Sequence, residues 1–205
     1  MEHTTSHGLY GEVSREEALN RLPEIEDIRD EELREQVIQV VREFPDYFWT
    51  APASSHHHPP EHQARHGLWL HTKRVCTAFE RVAKSMVKQG HLDWEDIDKG
   101  RAACILHDMY KYGIPPTSVD GTSSSHDVAA ANWLREHTSL PDAVTDAVEA
   151  HNGPWYAGDP PTSHLQQMVH IADLNASDED ARYAVKEPHP ILVEKFPRIN
   201  IRGDN

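Results

Sequence analysis

Residues 101–111 read Arg-Ala-Ala-Cys-Ile-Leu-His-Asp-Met-Tyr-Lys, an apolar helical run that ends abruptly in an imidazole and a carboxylate. Ala102 to Leu106 has the character of a buried helix. His107 and Asp108 at its mouth are costly to desolvate without a partner. A divalent cation is the partner that satisfies both at once. Four further polar residues, His71, His126, His151 and Asp173, stand in or at the ends of other apolar helical stretches and complete a candidate shell. Nitrogen and oxygen ligands of this kind suit Mn, Fe, Ni, Co, Zn or Mg better than a soft thiolate ion.

The rest of the chain supplies helices to hold these groups. Ser14 with Glu16 and Glu17 opens a short helix that Pro23 stops. Asp30 begins a second, with Leu33, Val37, Val40, Val41 and Phe44 on one stripe before Pro45. Phe48 to Pro60 has no period, is rich in proline, aromatic and imidazole groups, and reads as a loop. A long helix is expected from about His66 to Gln89, and another from Asp93 to His107-Asp108. The Gly- and Ser-rich stretch 113–125 has the composition of a lid over a site. Further helices are expected from His126, from Pro141 towards His151, from Thr162 or Ser163 through Leu174, and a short last one capped by Ser177. No alternating strand pattern, internal repeat or glycine-rich phosphate loop is found. The expected fold class is all-α, with residues 1–48 as a tail and packing helices, 49–184 as the main domain and 185–205 as an irregular tail.

Composition narrows the function. At 205 residues and 38% apolar, the chain is long enough for one real core, while its mean hydropathy of −0.69 indicates a very polar surface. No stretch approaches the ~20 apolar residues of a membrane span, and the N-terminus lacks a signal-peptide pattern, so a cytoplasmic protein without membrane contact is expected. Cys76 and Cys104 are far apart in apolar settings and read as small buried hydrophobes. The net charge of −14 disfavours general polyanion coating. Charge is uneven, however: between His62 and Gly90 six basic residues, Arg65, Lys73, Arg74, Arg81, Lys84 and Lys88, face a single acid, Glu80. That segment reads either as a phosphate-binding surface or as a solvated helix face.

Three elements then carry a family resemblance. Gly67-Leu68-Trp69-Leu70-His71-Thr72, Leu106-His107-Asp108-Met109-Tyr110-Lys111 and Ala172-Asp173, with His126 and His151 between the last two, resemble in order and context the HD-domain superfamily of metal-dependent phosphohydrolases. The resemblance covers about residues 50 to 180. It implies an HD helical bundle whose first metal is held by His71, His107, Asp108 and Asp173. In two-metal members Asp108 would bridge to a second ion completed by His126 and His151, and Asn152 stands where such members often carry a further imidazole. Lys111 matches the lysine that contacts substrate phosphate, with Arg65 or His66 as further phosphate contacts. His66, His57 and His58 resemble positions that precede the first motif in members acting as 3'-to-5' exonucleases. The implied function is hydrolysis of a phosphoester in a nucleotide or at a single-stranded nucleic-acid end, with Asp108, Lys111 and His126 as catalytic groups. A non-enzymatic HD module that binds metal or nucleotide is the alternative.

Overall fold

The computed structural model describes residues 13–54, 58–114, 122–178, 180 and 183–191. Among them there are eight α-helices and no strand. These are α1 (Arg15–Arg21), α2 (Glu31–Arg42), α3 (Asp46–Thr50), α4 (Gly67–Lys88), α5 (Trp94–Leu106), α6 (His126–His137), α7 (Asp142–Glu149) and α8 (His164–Ser177), with 3-10 turns at Pro23–Asp27 and Gly153–Trp155.

Helix starts follow from side-chain caps. Ser14 Oγ accepts from the Glu17 amide and Asp30 from that of Leu33. Asp93 with Asp96, and Ser163 with Gln166, form reciprocal capping boxes that fix the first turns of α5 and α8. These two helices carry His107-Asp108 and Asp173, so the caps set the register of the central ligands.

Helix α4 lies between α5 and α8, and α7 packs against both of those while α6 packs on α7. Leu68, Trp69, Val75 and Phe79 of α4, Ile97, Ala102, Cys104, Ile105 and Leu106 of α5 and Val169 and Ala172 of α8 are buried together. Residues 13–53 share this apolar core through Leu22, Ile25, Ile28, Val37 and Trp49. Trp49 and Trp69 meet edge to face with centroids 5.5 Å apart, and the Trp69 indole N–H donates to the Arg21 carbonyl at 3.1 Å.

Several local expectations are corrected. The stretch from Phe48 is not all loop: α3 carries Phe48 and Trp49 into the core, because a single turn buries two aromatic rings without needing a periodic pattern. Ser177 is the last residue of α8 and Asp178 its C-cap, so the helix expected there does not start among the described residues. Helix α7 ends at Glu149, leaving His151 in the following turn. The basic stretch 62–90 is divided: Arg65, Arg81, Lys84 and Lys88 are exposed, as a solvated face requires, while two of its cations turn inward. Lys73 is buried and donates to Glu24 at 2.9 Å, Arg74 is buried against Glu61 and His62, and Lys84 pairs with Glu80. Glu24 and Glu61, outside the stretch, neutralise Lys73 and Arg74, which a count along it does not reveal. Both cysteines are free and buried, as expected. No helix among the described residues is long and apolar enough to cross a membrane.

Candidate metal centre

Asp108 lies at the C-terminal end of α5, fully buried, and its two carboxylate oxygens face different imidazoles. Oδ2 is 3.4 Å from His107 Nε2 and 3.7 Å from His71 Nε2. Oδ1 is 3.1 Å from His126 Nε2 and 3.4 Å from His151 Nε2. Asp173 Oδ1, from α8, lies 2.9 Å from His71 Nε2 and 3.9 Å from His107 Nε2. All six candidate ligands are thereby gathered around one carboxylate, although they come from α4, α5, α6, α8 and the turn after α7.

The ring orientations are set by the backbone. Nδ1 of His107, His126 and His151 donates to the carbonyls of Cys104 (2.8 Å), Ser123 (2.7 Å) and Val148 (2.6 Å). A carbonyl has no proton to give, so each Nδ1 must carry one. In the neutral ring each Nε2 then presents a lone pair to the centre, the arrangement of a ligating histidine.

Electrostatics make this arrangement a demanding one. Burial pushes the pKa values of His71 and His126 down, so both rings favour the neutral form. Burial also opposes a second proton on His107, but Asp108 and Asp173 outweigh it and raise that pKa. Burial likewise works against charge on Asp108, yet Lys111 and His107 hold its carboxyl well below the usual range. Asp173 is also lowered, against its burial, by the hydrogen bond and charge of His71. The centre thus contains two carboxylates facing the imidazoles of His71 and His126, which favour the neutral form.

A divalent cation fits these donors. Asp108 Oδ1 and His151 Nε2 are buried without a hydrogen bond to any described residue. Two ligands each about 2.1 Å from a shared ion stand about 3 Å apart at a right angle, close to the 3.1–3.4 Å separations observed. The ligand atoms of His71, His107 and Asp173, and those of His107, Asp108 and His151, each lie within 4.8 Å of one another.

Lys111 is buried beside this centre, with Nζ 2.8 Å from Asp108 Oδ2. Burial alone would lower its pKa, but Asp108 and Asp173 raise it and keep the ammonium charged. His58 approaches from the loop before α4, its ring 4.8 Å from that of His71 and its Nε2 3.1 Å from Ser177 Oγ. Burial, with His71 and Lys111 adding to it, pushes His58 down to about 3 and keeps it neutral. Gly67 makes this approach possible: a Cβ there would lie 2.0 Å from the His62 carbonyl oxygen, so only glycine lets the loop close on the helix start.

The remaining sequence candidates behave differently. His66 takes a left-handed backbone at the head of α4, donates from Nδ1 to the Trp49 carbonyl at 2.6 Å and sets its ring against Trp69. Those contacts tie it to the aromatic core. Arg65 is exposed. His57, and residues 115–121 of the expected lid, lie outside the described residues.

Four residues beside the centre escaped the sequence reading. His62 stands with His58 and His71 in a three-imidazole group, and its Nε2 accepts from Arg74 at 2.9 Å. Asp127, next to His126, receives the Gly158 amide at 3.0 Å on Oδ2. His170 donates from Nδ1 to the His151 carbonyl at 2.6 Å. Tyr156 sets its ring edge-on to His126 at 5.0 Å. His170 was within reach of sequence reasoning, since it lies one helical turn before Asp173 on α8.

Asn152 is buried, and its amide nitrogen lies 3.0 Å from His126 Nε2. It competes for the lone pair that a cation on this side would use.

No curated protein and no solved structure matches the chain. The family model of the HD domain matches residues 68–176, more than half of the chain and the segment that contains His71, His107, Asp108, His126, His151 and Asp173. The chain belongs to the HD-domain family.

Proposed function

We propose that this protein is a metal-dependent phosphohydrolase that cleaves a phosphoester of a nucleotide or of a single-stranded nucleic-acid end. The observation that carries the reading is Asp108, whose two oxygens each face a pair of imidazoles and whose neighbour Lys111 keeps its charge 2.8 Å away. The donors fit one or two divalent ions of the Mn, Fe, Ni, Co, Zn or Mg group. When bound, such an ion supplies Lewis acidity, lowering the pKa of water and polarising a phosphoryl oxygen.

His71, His107, Asp108 and Asp173 would hold the first ion, and Asp108, His126 and His151 a second. Lys111 balances the negative charge that grows on the phosphoryl oxygens as the water oxygen bonds to phosphorus and the bond to the leaving oxygen breaks. His58, neutral and half-buried at the edge of the centre, presents a polar ring to the same oxygens. With a single ion, His126 Nε2 is left to carry the proton from the attacking water to the leaving oxygen. With a second ion it would be a ligand, and in either case the hydrogen bond from Asn152 to Nε2 has to be released.

The test is a hydrolysis screen of wild type, His107→Ala and Asp108→Ala. It uses bis-p-nitrophenyl phosphate, nucleoside mono- and triphosphates and short single-stranded RNA and DNA, each with Mn, Ni, Co or Mg. Turnover that both substitutions abolish is expected. Turnover that survives both would overturn the reading.

A further inference from the structure

Trp155 is the most exposed large apolar side chain among the described residues, at 64%, and it adjoins the metal centre. Its indole stacks on His170 with centroids 5.6 Å apart and planes 29° apart. His170 is buried and held on the carbonyl of the candidate ligand His151. The next residue, Tyr156, is 38% exposed and meets the ring of His126. A single short loop therefore sets one accessible aromatic ring against a neighbour of the candidate ligand His151 and another against the candidate ligand His126.

This loop is pinned. Gly153 turns with φ +58°, and a Cβ there would lie 2.7 Å from the His170 ring, so the turn and the imidazole fit only without a side chain. At the other end the Gly158 amide donates to Asp127 Oδ2, while Asp127 Oδ1 receives the amide of Val128 on α6. Trp94, the next most exposed indole, is covered by the Arg29 guanidinium at 4.5 Å. Trp155 has imidazole on one side and solvent over most of the rest.

We propose that Trp155, backed by His170 and flanked by Tyr156, is a stacking subsite for a nucleobase whose phosphate is addressed at Asp108 and Lys111. The inference rests on the phosphohydrolase reading above and assigns the contact that would hold the base of its substrate. An indole already stacked on an imidazole offers a rigid planar surface, and base–aromatic stacking is sequence-tolerant because every base has a π-face. The overall charge of −14 leaves little general attraction for a polyanion. Affinity for a nucleotide must then come from local contacts of this kind. Both a free nucleotide and the last nucleotide of a strand carry the required ring.

The experiment has a binding arm and a kinetic arm. Indole fluorescence of the metal-loaded protein is titrated with AMP, ribose 5-phosphate, a tetradeoxyadenylate and its abasic counterpart, for wild type and Trp155→Phe. Saturable quenching by the base-containing probes alone, lost in Trp155→Phe, is expected. In the kinetic arm Trp155→Ala lowers the ratio of kcat/KM for each base-containing probe to that for its abasic partner about tenfold or more, and Trp155→Phe restores most of it. The pair that shows the larger ratio in wild type separates a free nucleotide from a strand end.

An unchanged ratio in Trp155→Ala, with phosphoester hydrolysis intact, would overturn the subsite and leave the phosphohydrolase standing. If wild type hydrolyses no phosphoester, that function fails and the quenching arm alone decides the subsite. Quenching by AMP no stronger than by ribose 5-phosphate then overturns it.

Discussion

His126 turns an unprotonated nitrogen towards the carboxylate of Asp108, with Nε2 3.1 Å from Oδ1 while Nδ1–H is committed to the Ser123 carbonyl. Lys111 balances the carboxylate from Oδ2 and Asn152 donates to the nitrogen, but Oδ1 has no hydrogen bond from a described residue and its lone pair still repels that of Nε2. A bound cation should therefore stabilise the fold. Chelator-treated protein is expected to melt lower, and adding the ion at a hundredfold its Kd to raise Tm by roughly 5–10 °C in calorimetry. Asp108→Asn should abolish most of that response.

In the proposed mechanism Lys111 acts on substrate charge and does not hold the ion. Replacing it with Met should lower kcat/KM for a phosphoester about 100- to 1,000-fold, the usual cost of one lost electrostatic donor. Metal content by elemental analysis should stay at the wild-type level. Loss of metal together with activity would make Lys111 a structural support of Asp108 instead.

Lys73 and Glu24 form a buried pair at 2.9 Å that joins α4 to the N-terminal 3-10 turn. Glu24→Gln leaves the ammonium without its counter-charge and should destabilise the protein by about 3–5 kcal/mol in denaturant unfolding. Replacing both with apolar residues of similar volume, Glu24→Leu with Lys73→Met, should recover most of that loss.

Gly153→Ala places a methyl against the His170 ring on a left-handed backbone. It should cost about 1–3 kcal/mol of stability. Indole fluorescence should shift as Trp155 leaves its stack. A variant that melts and fluoresces like wild type would show that the turn tolerates a side chain.

Much of this molecule could be read from the chain because its signals are local. Caps at Ser14, Asp30, Asp93 and Ser163 mark helix starts within a few residues, and polar groups such as His107-Asp108 and Asp173 stand out in apolar helices. The rest is tertiary. Lys73 and Arg74 look like free surface cations until Glu24 and Glu61 are brought to them. His62, Asp127 and His170 acquire their places only when the loops at 58–66 and 153–158 close on the ligands, and no spacing along the chain announces those contacts. Phe48 and Trp49 were hidden by the opposite effect, since proline-rich surroundings mask a single buried turn.

The most direct test loads chelator-treated protein with one metal at a time and measures bound metal and phosphoester turnover on the same samples. Turnover should be absent without metal, rise in proportion to the bound ion and saturate at one or two ions per chain. Stoichiometric metal with no turnover of any phosphoester would contradict the enzymatic account and leave a binding module. Turnover in protein with no bound metal would remove Asp108 and its imidazoles from the chemistry.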